Sequence, residues 1–551
     1  MVTLSSSFLR VNPADDLIVA LQDLEVGTEI KIDSSEHCRI VEAIPRKHKF
    51  VTRDVARGEQ LRMYGVIVGE ASRDIPAGSL LTMENLDHSS EPFHANRKQI
   101  DWAAPDVGDW QQSTFQGYHR SNGSVGTANY WIVIPTVFCE NRNLLKMSEA
   151  LHGVLGYQTN SGYRNLAQRL AKAWQQGATI DQLAALDPGS PGDLPERLLP
   201  NVDGIKFLTH DGGCGGTRED SQNLCGILAG YACHPNVAGV TVLSLGCQHA
   251  QVSILEDEIQ KRDSNFDKPL LIFEQQKAES EWDMMTRAIR ETFAGMVKAN
   301  ELTRQPASLD KLIVGVECGA SDGFSGISAN PLIGAVADRV VGLGGSVVLS
   351  EFPELCGVEQ DLVNRCTSQE LADRFVDIMQ RYEARAVAVG SGFAKNPSPG
   401  NIKDGLITDA IKSAGAALKG GRSPVKDVLD YPGWVTKRGL NLLCTAGNDV
   451  ESTTGMAGAG ANLILFSTGL GTPTGNPVCP VIKVSSNTKT SESFSDMIDF
   501  DAGPIIDGST SIPEHAAQLL NLSLEVASGK PTAAMKLGQD DFIVWKRGVS
   551  L

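Results

Sequence analysis

K-L-I-V-G-V-E-C-G-A-S-D-G-F-S-G-I-S-A-N-P runs from Lys311 to Pro331. Its first third is a short, apolar, β-branched run, the pattern of a buried strand. The rest alternates glycine with serine, aspartate and asparagine, so the strand ends in a loop whose backbone can approach a ligand closely. Repeated N–H groups in such a loop suit a carboxylate. Asp322 and Ser325 equally suit the cap of a following helix. Strand, polar loop, helix is the unit of α/β folds with parallel sheets, where ligands bind outside the carboxyl ends of the strands.

The same unit recurs on both sides. Downstream, G-G-S-V-V-L-S-E leads into Glu351 and A-R-A-V-A-V-G leads into N-P-S-P-G-N at Asn396 to Asn401. G-L-N-L-L-C-T-A-G leads into Asn448 and Asp449, and A-N-L-I-L-F-S-T-G leads into Gly469 to Asn476. Upstream, Y-W-I-V-I-P-T-V starts at Tyr130, G-I-K-F-L-T-H ends at His210, and G-V-T-V-L-S-L-G-C ends at Cys247. Before about residue 95 the grammar differs. F-L-R-V, L-I-V-A-L and E-I-K-I are short strand-like runs separated by glycine turns. The expected fold is therefore multidomain: a small β-rich domain over 1–95, a polar linker over 96–111, and α/β domains with largely parallel sheets over 112–260 and 265–551. The charged stretch Glu256 to Lys268 suggests the last boundary.

Composition narrows the function classes. A chain of 551 residues exceeds one core. A net charge of −17 opposes non-specific nucleic-acid binding, although an anionic small molecule meets local charge instead. No apolar run is long enough for a membrane helix, and the N-terminus lacks a signal-peptide pattern. Eleven cysteines, an odd number without an export signal, predict free thiols in a reducing cytoplasm. No C-x-x-C pair or ferredoxin-type spacing occurs, so an iron–sulfur hydratase has no spacing signal. Walker, G-x-G-x-x-G and H-E-x-x-H patterns are also missing.

The chemistry-bearing residues sit in the polar loops. His210 and Cys214, in T-H-D-G-G-C-G-G, can aim a nitrogen and a thiolate at Zn²⁺ or Fe²⁺. The alternative is a buried cysteine beside a structural histidine. Arg120 and Lys412 lie in or beside glycine-rich segments and offer positive charge to an anion. His48, in P-R-K-H-K, reads by itself as a surface histidine of the β-rich domain.

Long motifs in order resemble the altronate/galactarate dehydratase family over nearly the whole chain. The N-terminal domain is similar to its SAF domain, with H-K-F at His48 to Phe50, Y-G-V-I-V-G at Tyr64 to Gly69 and I-P-A-G at Ile75 to Gly78. F-Q-G-Y-H-R-S-N-G-S-V-G-T-A-N, H-D-G-G-C-G and L-G-C-Q follow. Then come E-C-G-A-S-D-G-F-S-G-I-S-A-N-P, S-E-F-P-E, N-P-S-P-G-N and F-S-T-G-L-G-T-P. S-E-F-P-E and the simple N-terminal layout look closer to altronate dehydratase. Lys47, Thr82, Glu84 and Ala128 depart from the family pattern, with Lys47 standing where a glycine is usual and Ala128 where an arginine is usual.

The resemblance implies dehydration of a small anionic sugar acid, altronate giving 2-dehydro-3-deoxy-gluconate and water, with Fe²⁺ or Mn²⁺ as a Lewis acid. Galactarate or another hexarate, a sulfolactate-type elimination, and a non-catalytic sugar-acid-binding protein are the alternatives. Under this reading His48, Lys412 and Asp322 are catalytic. His48 exchanges protons, Lys412 neutralises the substrate carboxylate, and Asp322 with Ser325 orients hydroxyls. Arg120, Ser325, Asn396 and Asn401 bind substrate, and His210, Cys214 and Cys318 hold the metal. No nucleic-acid or membrane partner is implied, and an assembly of identical subunits is left open.

Overall fold

The computed structural model describes all residues except 1, 2, 5, 6, 33–36, 99, 159, 160, 190–195 and 551. The N-terminal domain is all antiparallel and built from short strands. One sheet runs in the order Thr3–Leu4, Phe8–Arg10, Leu17–Ala20 and Lys49–Val51. Another joins Gln60–Met63, Val66–Ala71 and Leu86–Asp87. Residues 94–98 and 100–110 then lie along the C-terminal domain. The backbone N–H groups of His94 and Lys98 donate to Gln360 Oε1 and Asn364 Oδ1, both at 2.9 Å, and Trp110 Nε1 donates to Asn521 Oδ1 at 2.8 Å.

The second domain is a four-stranded, wholly parallel sheet in the order Gly204–Phe207, Tyr130–Pro135, Val237–Ser244, Leu270–Glu274. Tyr130–Pro135 and Val237–Ser244 are buried on both faces, which is why they read as continuous apolar runs. The boundary expected at 260–265 falls inside this unit. Leu270–Glu274 is the edge strand of the sheet, and helix Glu281–Ala299 packs on it. The charged stretch before it is a surface helix, Val252–Arg262, and its turn.

The C-terminal domain is a seven-stranded parallel sheet, numbered here in chain order: β1 Ile313–Gly319, β2 Ser346–Leu349, β3 Val425–Leu429, β4 Gly439–Leu443, β5 Leu463–Thr468, β6 Val481–Ser485 and β7 Phe500–Asp501. The spatial order is β3-β4-β2-β1-β5-β6-β7. β1 is thus the strand from which the chain winds one way to β2 and later the other way to β5. Helices α1 (Ala329–Gly342), α2 (Asp409–Ala417) and α3 (Asp449–Gly458) flank it. The α/β reading holds, with one substitution: A-R-A-V-A-V-G is not a strand. It ends the helix Gln369–Ala388, whose buried positions Leu371, Ala372, Phe375, Ile378 and Met379 follow helical spacing. Val387 and Val389 are exposed, so their apolar character reflects no buried strand. Among the described residues no helix is long and apolar enough to cross a membrane.

Two cores sandwich the large sheet. One includes α1 and the helix Ile512–Ala527. The other is shared with the second domain, joining helix Arg218–Cys233 to α3. The small β domain is seated by a third cluster, in which Leu17, Val51 and Met63 meet Phe324, Ile327 and Ile411.

Candidate active site

β1 is buried from Val314 onward and ends by projecting Glu317 and Cys318 beyond the apolar core. The neighbouring strands end at the same level. After β2 the chain turns sharply at Glu351, a non-glycine residue in the left-handed region (φ 58°), a conformation kept where the surroundings enforce it. The 3-10 turn Phe352–Leu355 then presents Glu354. After β4 come Thr445 and the start of α3, with Asp449 and Ser452. α2 supplies Lys412, and the turn Leu418–Gly420 that follows it supplies Lys419. The constellation lies at the carboxyl ends of β1, β2 and β4, beside the topological switch, where open α/β sheets bind ligands.

Lys419 is fully buried and joins two of these groups. Its Nζ is 2.8 Å from Glu351 Oε2 and donates to Cys318 Sγ at 3.0 Å. Cys318 Sγ in turn donates to Glu354 Oε2 at 3.2 Å. Lys412 Nζ is 2.7 Å from Glu354 Oε1 and donates to Asn396 Oδ1 at 2.6 Å. Ser452 Oγ donates to Glu317 Oε2 at 2.7 Å, and Glu351 N donates to Thr445 Oγ1 at 2.9 Å. Four carboxyl groups, Glu317, Glu351, Glu354 and Asp449, thus share two lysines.

Burial dominates the protonation equilibria. It pushes Glu317 well above the ordinary carboxylate range, and the charge of Glu351 adds to the effect. It pushes Glu351 up to about 7 against the pull of Lys419, and Asp449 up to about 6 with help from Glu354. Burial acts on Glu354 too, but Lys412 and Lys419 outweigh it and hold that carboxyl below its usual value. Cys318 is driven well above the normal thiol range by burial.

The donor set fits a divalent cation. Glu317, Glu351 and Asp449 each bring an oxygen within 4.8 Å of the others, and Cys318, Glu351 and Glu354 form a second such group. Glu317 Oε1 and Glu351 Oε1 are buried without a hydrogen-bond partner. Orphaned buried oxygens are costly, and a cation between them would satisfy both while balancing the carboxylate excess. Oxygen-rich sets with one sulfur are compatible with Fe²⁺ or Mn²⁺.

Seven of the expected site residues fall into three groups. Cys318, Lys412 and Asn396 lie together in this cluster. Asp322, Ser325 and Asn401 hold the loop beside it. Asp322 Oδ1 accepts from the backbone N–H groups of Phe324 and Ser325 and from the hydroxyls of Ser325 and Ser486, while Oδ2 faces Asn487 and Lys47. Asn401 Nδ2 donates to Ser321 O at 2.8 Å. Asp322 and Ser325 thus close a tight turn ahead of α1, whose N-cap position is Ser328, with their polar atoms turned on each other. Arg120 lies elsewhere: its guanidinium donates to Pro235 O at 2.8 Å, just before strand Val237–Ser244 and so at the amino end of the second sheet.

The expected metal set His210, Cys214 and Cys318 is not one donor group. His210 Nε2 lies 2.8 Å from Pro135 O, and its Nδ1 accepts from Gly212 N at 3.1 Å, so the ring staples two loops. Cys214 is exposed, whereas Cys318 is buried among glutamates. Glu317, Glu351, Glu354, Lys419 and Asp449 carry the site instead. S-E-F-P-E, two glutamates after an apolar strand, was the legible signal for two of them; a lysine inside apolar A-A-L-K-G-G was the signal for Lys419.

His48 lies where the small domain meets the large one. Burial lowers its pKa below the ordinary value. Beside it, Lys47 adopts φ 77°, a left-handed conformation that favours the usual glycine. Its amine is 3.0 Å from Asp322 and 3.2 Å from Asp404, and these ion pairs offset the strain. Thr82 and Glu84 are parts of one turn in the small domain, where Glu84 N donates to Thr82 Oγ1.

Comparison with known proteins agrees with this architecture. Residues 6–89 match the altronate/galactarate dehydratase SAF domain, 117–300 the D-galactarate dehydratase/altronate hydrolase second domain, and 309–550 the D-galactarate/altronate dehydratase C-terminal domain. The chain is 31% identical to altronate dehydratase of Escherichia coli over 99% of its length and 100% of that protein. It is 30% identical to altronate dehydratase of Bacillus subtilis over 99% and 100%. It is 28% identical to galactarate dehydratase (L-threo-forming) of Escherichia coli over 96% and 94%. With all three domains matched in order and full-length relatives at this identity, the chain belongs to the altronate/galactarate dehydratase family.

Proposed function

We propose that the protein is a metal-dependent sugar-acid dehydratase acting on D-altronate. The observation that carries this reading is the buried set of Glu317, Glu351, Asp449, Cys318 and Glu354, with two orphaned oxygens and Lys412 at its edge. Glu317, Glu351 and Asp449 would hold Fe²⁺ or Mn²⁺, with Cys318 and Glu354 adjoining. Bound there, the ion supplies Lewis acidity against the negative charge that develops when a hydroxy acid loses its C2 proton.

The chain's own residues supply position and proton transfer. Lys412, raised above the ordinary amine range by Glu354 against the effect of burial, stays cationic and meets the substrate carboxylate. Asn396 Oδ1, now accepting from Lys412, is placed to accept from a substrate hydroxyl instead. His48, with its pKa lowered, is available as a neutral base near pH 7. One proton leaves C2, one reaches the departing C3 hydroxyl as water, and the enol becomes the 2-keto-3-deoxy acid. Altronate is favoured over galactarate because S-E-F-P-E, which resembles the altronate dehydratase pattern, forms one wall of the site.

The test is a panel of altronate, galactarate and sulfolactate under anaerobic conditions with Fe²⁺, Mn²⁺ or Mg²⁺, reading keto-acid product. Altronate is expected to turn over fastest. His48→Ala is expected to cut kcat by about 10²–10⁴ with the fold intact. Failure of every sugar acid to give a keto acid refutes the dehydratase reading, and an unchanged kcat removes His48 from it.

A further inference from the structure

Three loops of the second domain carry chemistry that the carboxylate site does not use. Of the chain's eleven cysteines, Cys139, Cys214 and Cys247 are exposed; the rest are buried or half-buried. Free cysteines ordinarily rank among the most buried residues. Each exposed one follows the carboxyl end of a strand: Tyr130–Pro135, Gly204–Phe207 and Val237–Ser244. These strands are neighbours in one parallel sheet.

The loops are tied to one another. Phe138 N donates to Gly212 O at 3.0 Å, and His249 N and Ala250 N donate to Gly213 O at 2.9 and 3.1 Å. Gly213 sits at φ +97°, and a Cβ there would stand 2.2 Å from Thr136 O. Only glycine permits that approach. Gln248 Nε2 closes the ring by donating to Thr136 Oγ1 at 3.1 Å and Ser244 Oγ at 2.8 Å. Cys139 and Cys214 therefore each follow a residue bonded to or pressed against another loop, and Cys247 precedes Gln248.

These thiols are not set for a single ion. The described residues contain two tight donor groups, and neither includes Cys139, Cys214 or Cys247. A four-iron cubane spreads its thiolates more widely and can draw them from separate loops. Glycines at 212, 213, 215, 216 and 246 leave space and free the backbone to approach its sulfides. We propose that Cys139, Cys214 and Cys247 hold a four-iron, four-sulfide cluster whose fourth iron is open to an oxygen ligand, water or a hydroxy acid. Asp211 of the same loop is near enough to Glu451, two residues beyond Asp449, for their charges to interact. The loop that carries Cys214 thus stands near the start of α3, which belongs to the carboxylate site.

The experiment is anaerobic isolation, reconstitution with ferrous iron and sulfide, and assay of iron, zinc and acid-labile sulfide. About four irons and four sulfides per chain are expected, with broad visible absorbance that dithionite bleaches. Cys139→Ala, Cys214→Ala and Cys247→Ala should each lose the sulfide while keeping the wild-type circular dichroism; Cys318→Ala should keep it. In the intact chain, iodoacetamide should label the three exposed cysteines before reconstitution and spare them afterwards, a readout that needs no variant. Zinc or iron without sulfide, no sulfide after reconstitution, or sulfide retained in all three variants overturns the proposal. None of these readouts depends on which sugar acid is turned over.

Discussion

Lys419 is the residue on which the carboxylate site is balanced. It has no exposed surface, and its amine serves a glutamate and a thiol at once. Burial would strip its proton, but Cys318 and the surrounding carboxylates raise its pKa well above that of an ordinary amine. Removing one partner of a buried pair strands the other, at a typical cost of about 3–5 kcal/mol. Lys419→Met is therefore expected to lower the unfolding free energy by that amount, read as a lower denaturant midpoint at an unchanged m-value. Adding Glu351→Gln should recover part of the loss, because the stranded charge is then gone. Additive losses in the double variant would show that Lys419 and Glu351 are not coupled. None of this pairing is readable from the chain order, because 68 positions separate the two residues in sequence.

At the scale of elements, the site depends on how α3 is held. Helix Arg218–Cys233 crosses α3 at Gly230, where a Cβ would stand 2.0 Å from Gly458 O. Both sides of that contact are backbone, so neither can rotate away. Gly230→Ala is expected to cost about 1–3 kcal/mol through overpacking. It should also lower turnover, since α3 carries Asp449 and Ser452. Gly392, at φ 167° with nothing within 4 Å of a built Cβ, is the control; its change to Ala should stay within about 0.5 kcal/mol. Equal thermal shifts for the two variants would refute the crossing as a constraint. Helix Gln369–Ala388 shows the limit of local reading. Its last turn alternates small and β-branched residues like a strand, and only the longer apolar spacing upstream reveals the helix.

At the scale of the whole molecule, the small β domain is bound to the large one through charge and backbone. Lys49 is fully buried and donates to Gly405 O at 2.6 Å and Lys47 O at 3.1 Å. Burial lowers its pKa to about 7, against the partial support of Asp322. A base whose folded pKa is depressed makes the unfolded chain bind more protons between about pH 7 and its ordinary pKa of about 10.4. Stability therefore rises with pH across that window, with a limiting slope of about 1.4 kcal/mol per unit. Lys49→Met removes this one contribution. Its melting temperature, measured relative to wild type, should be more favourable at pH 7.5 than at pH 9.5, and a pH-independent difference would contradict the assignment.

The class of the fold followed from short-range pattern: apolar β-branched runs ending in glycine and polar loops, and glycine-punctuated short strands before residue 95. Those signals are local, since strand period and turn chemistry involve neighbouring residues. Cys318, Lys412 and Asn396 were legible for the same reason, each lying in a loop or helix beside such a strand end. His210 misled because its nearness to Cys214 in sequence resembled a ligand pair, while both of its ring nitrogens are taken by backbone. The partners of each charge were decided by tertiary structure alone. Glu317, Glu351, Glu354 and Lys419 reach one volume only because parallel strands end at one level and the chain reverses its winding at β1. Burial in that shared volume, a property of the assembled domain, then sets which groups hold their protons.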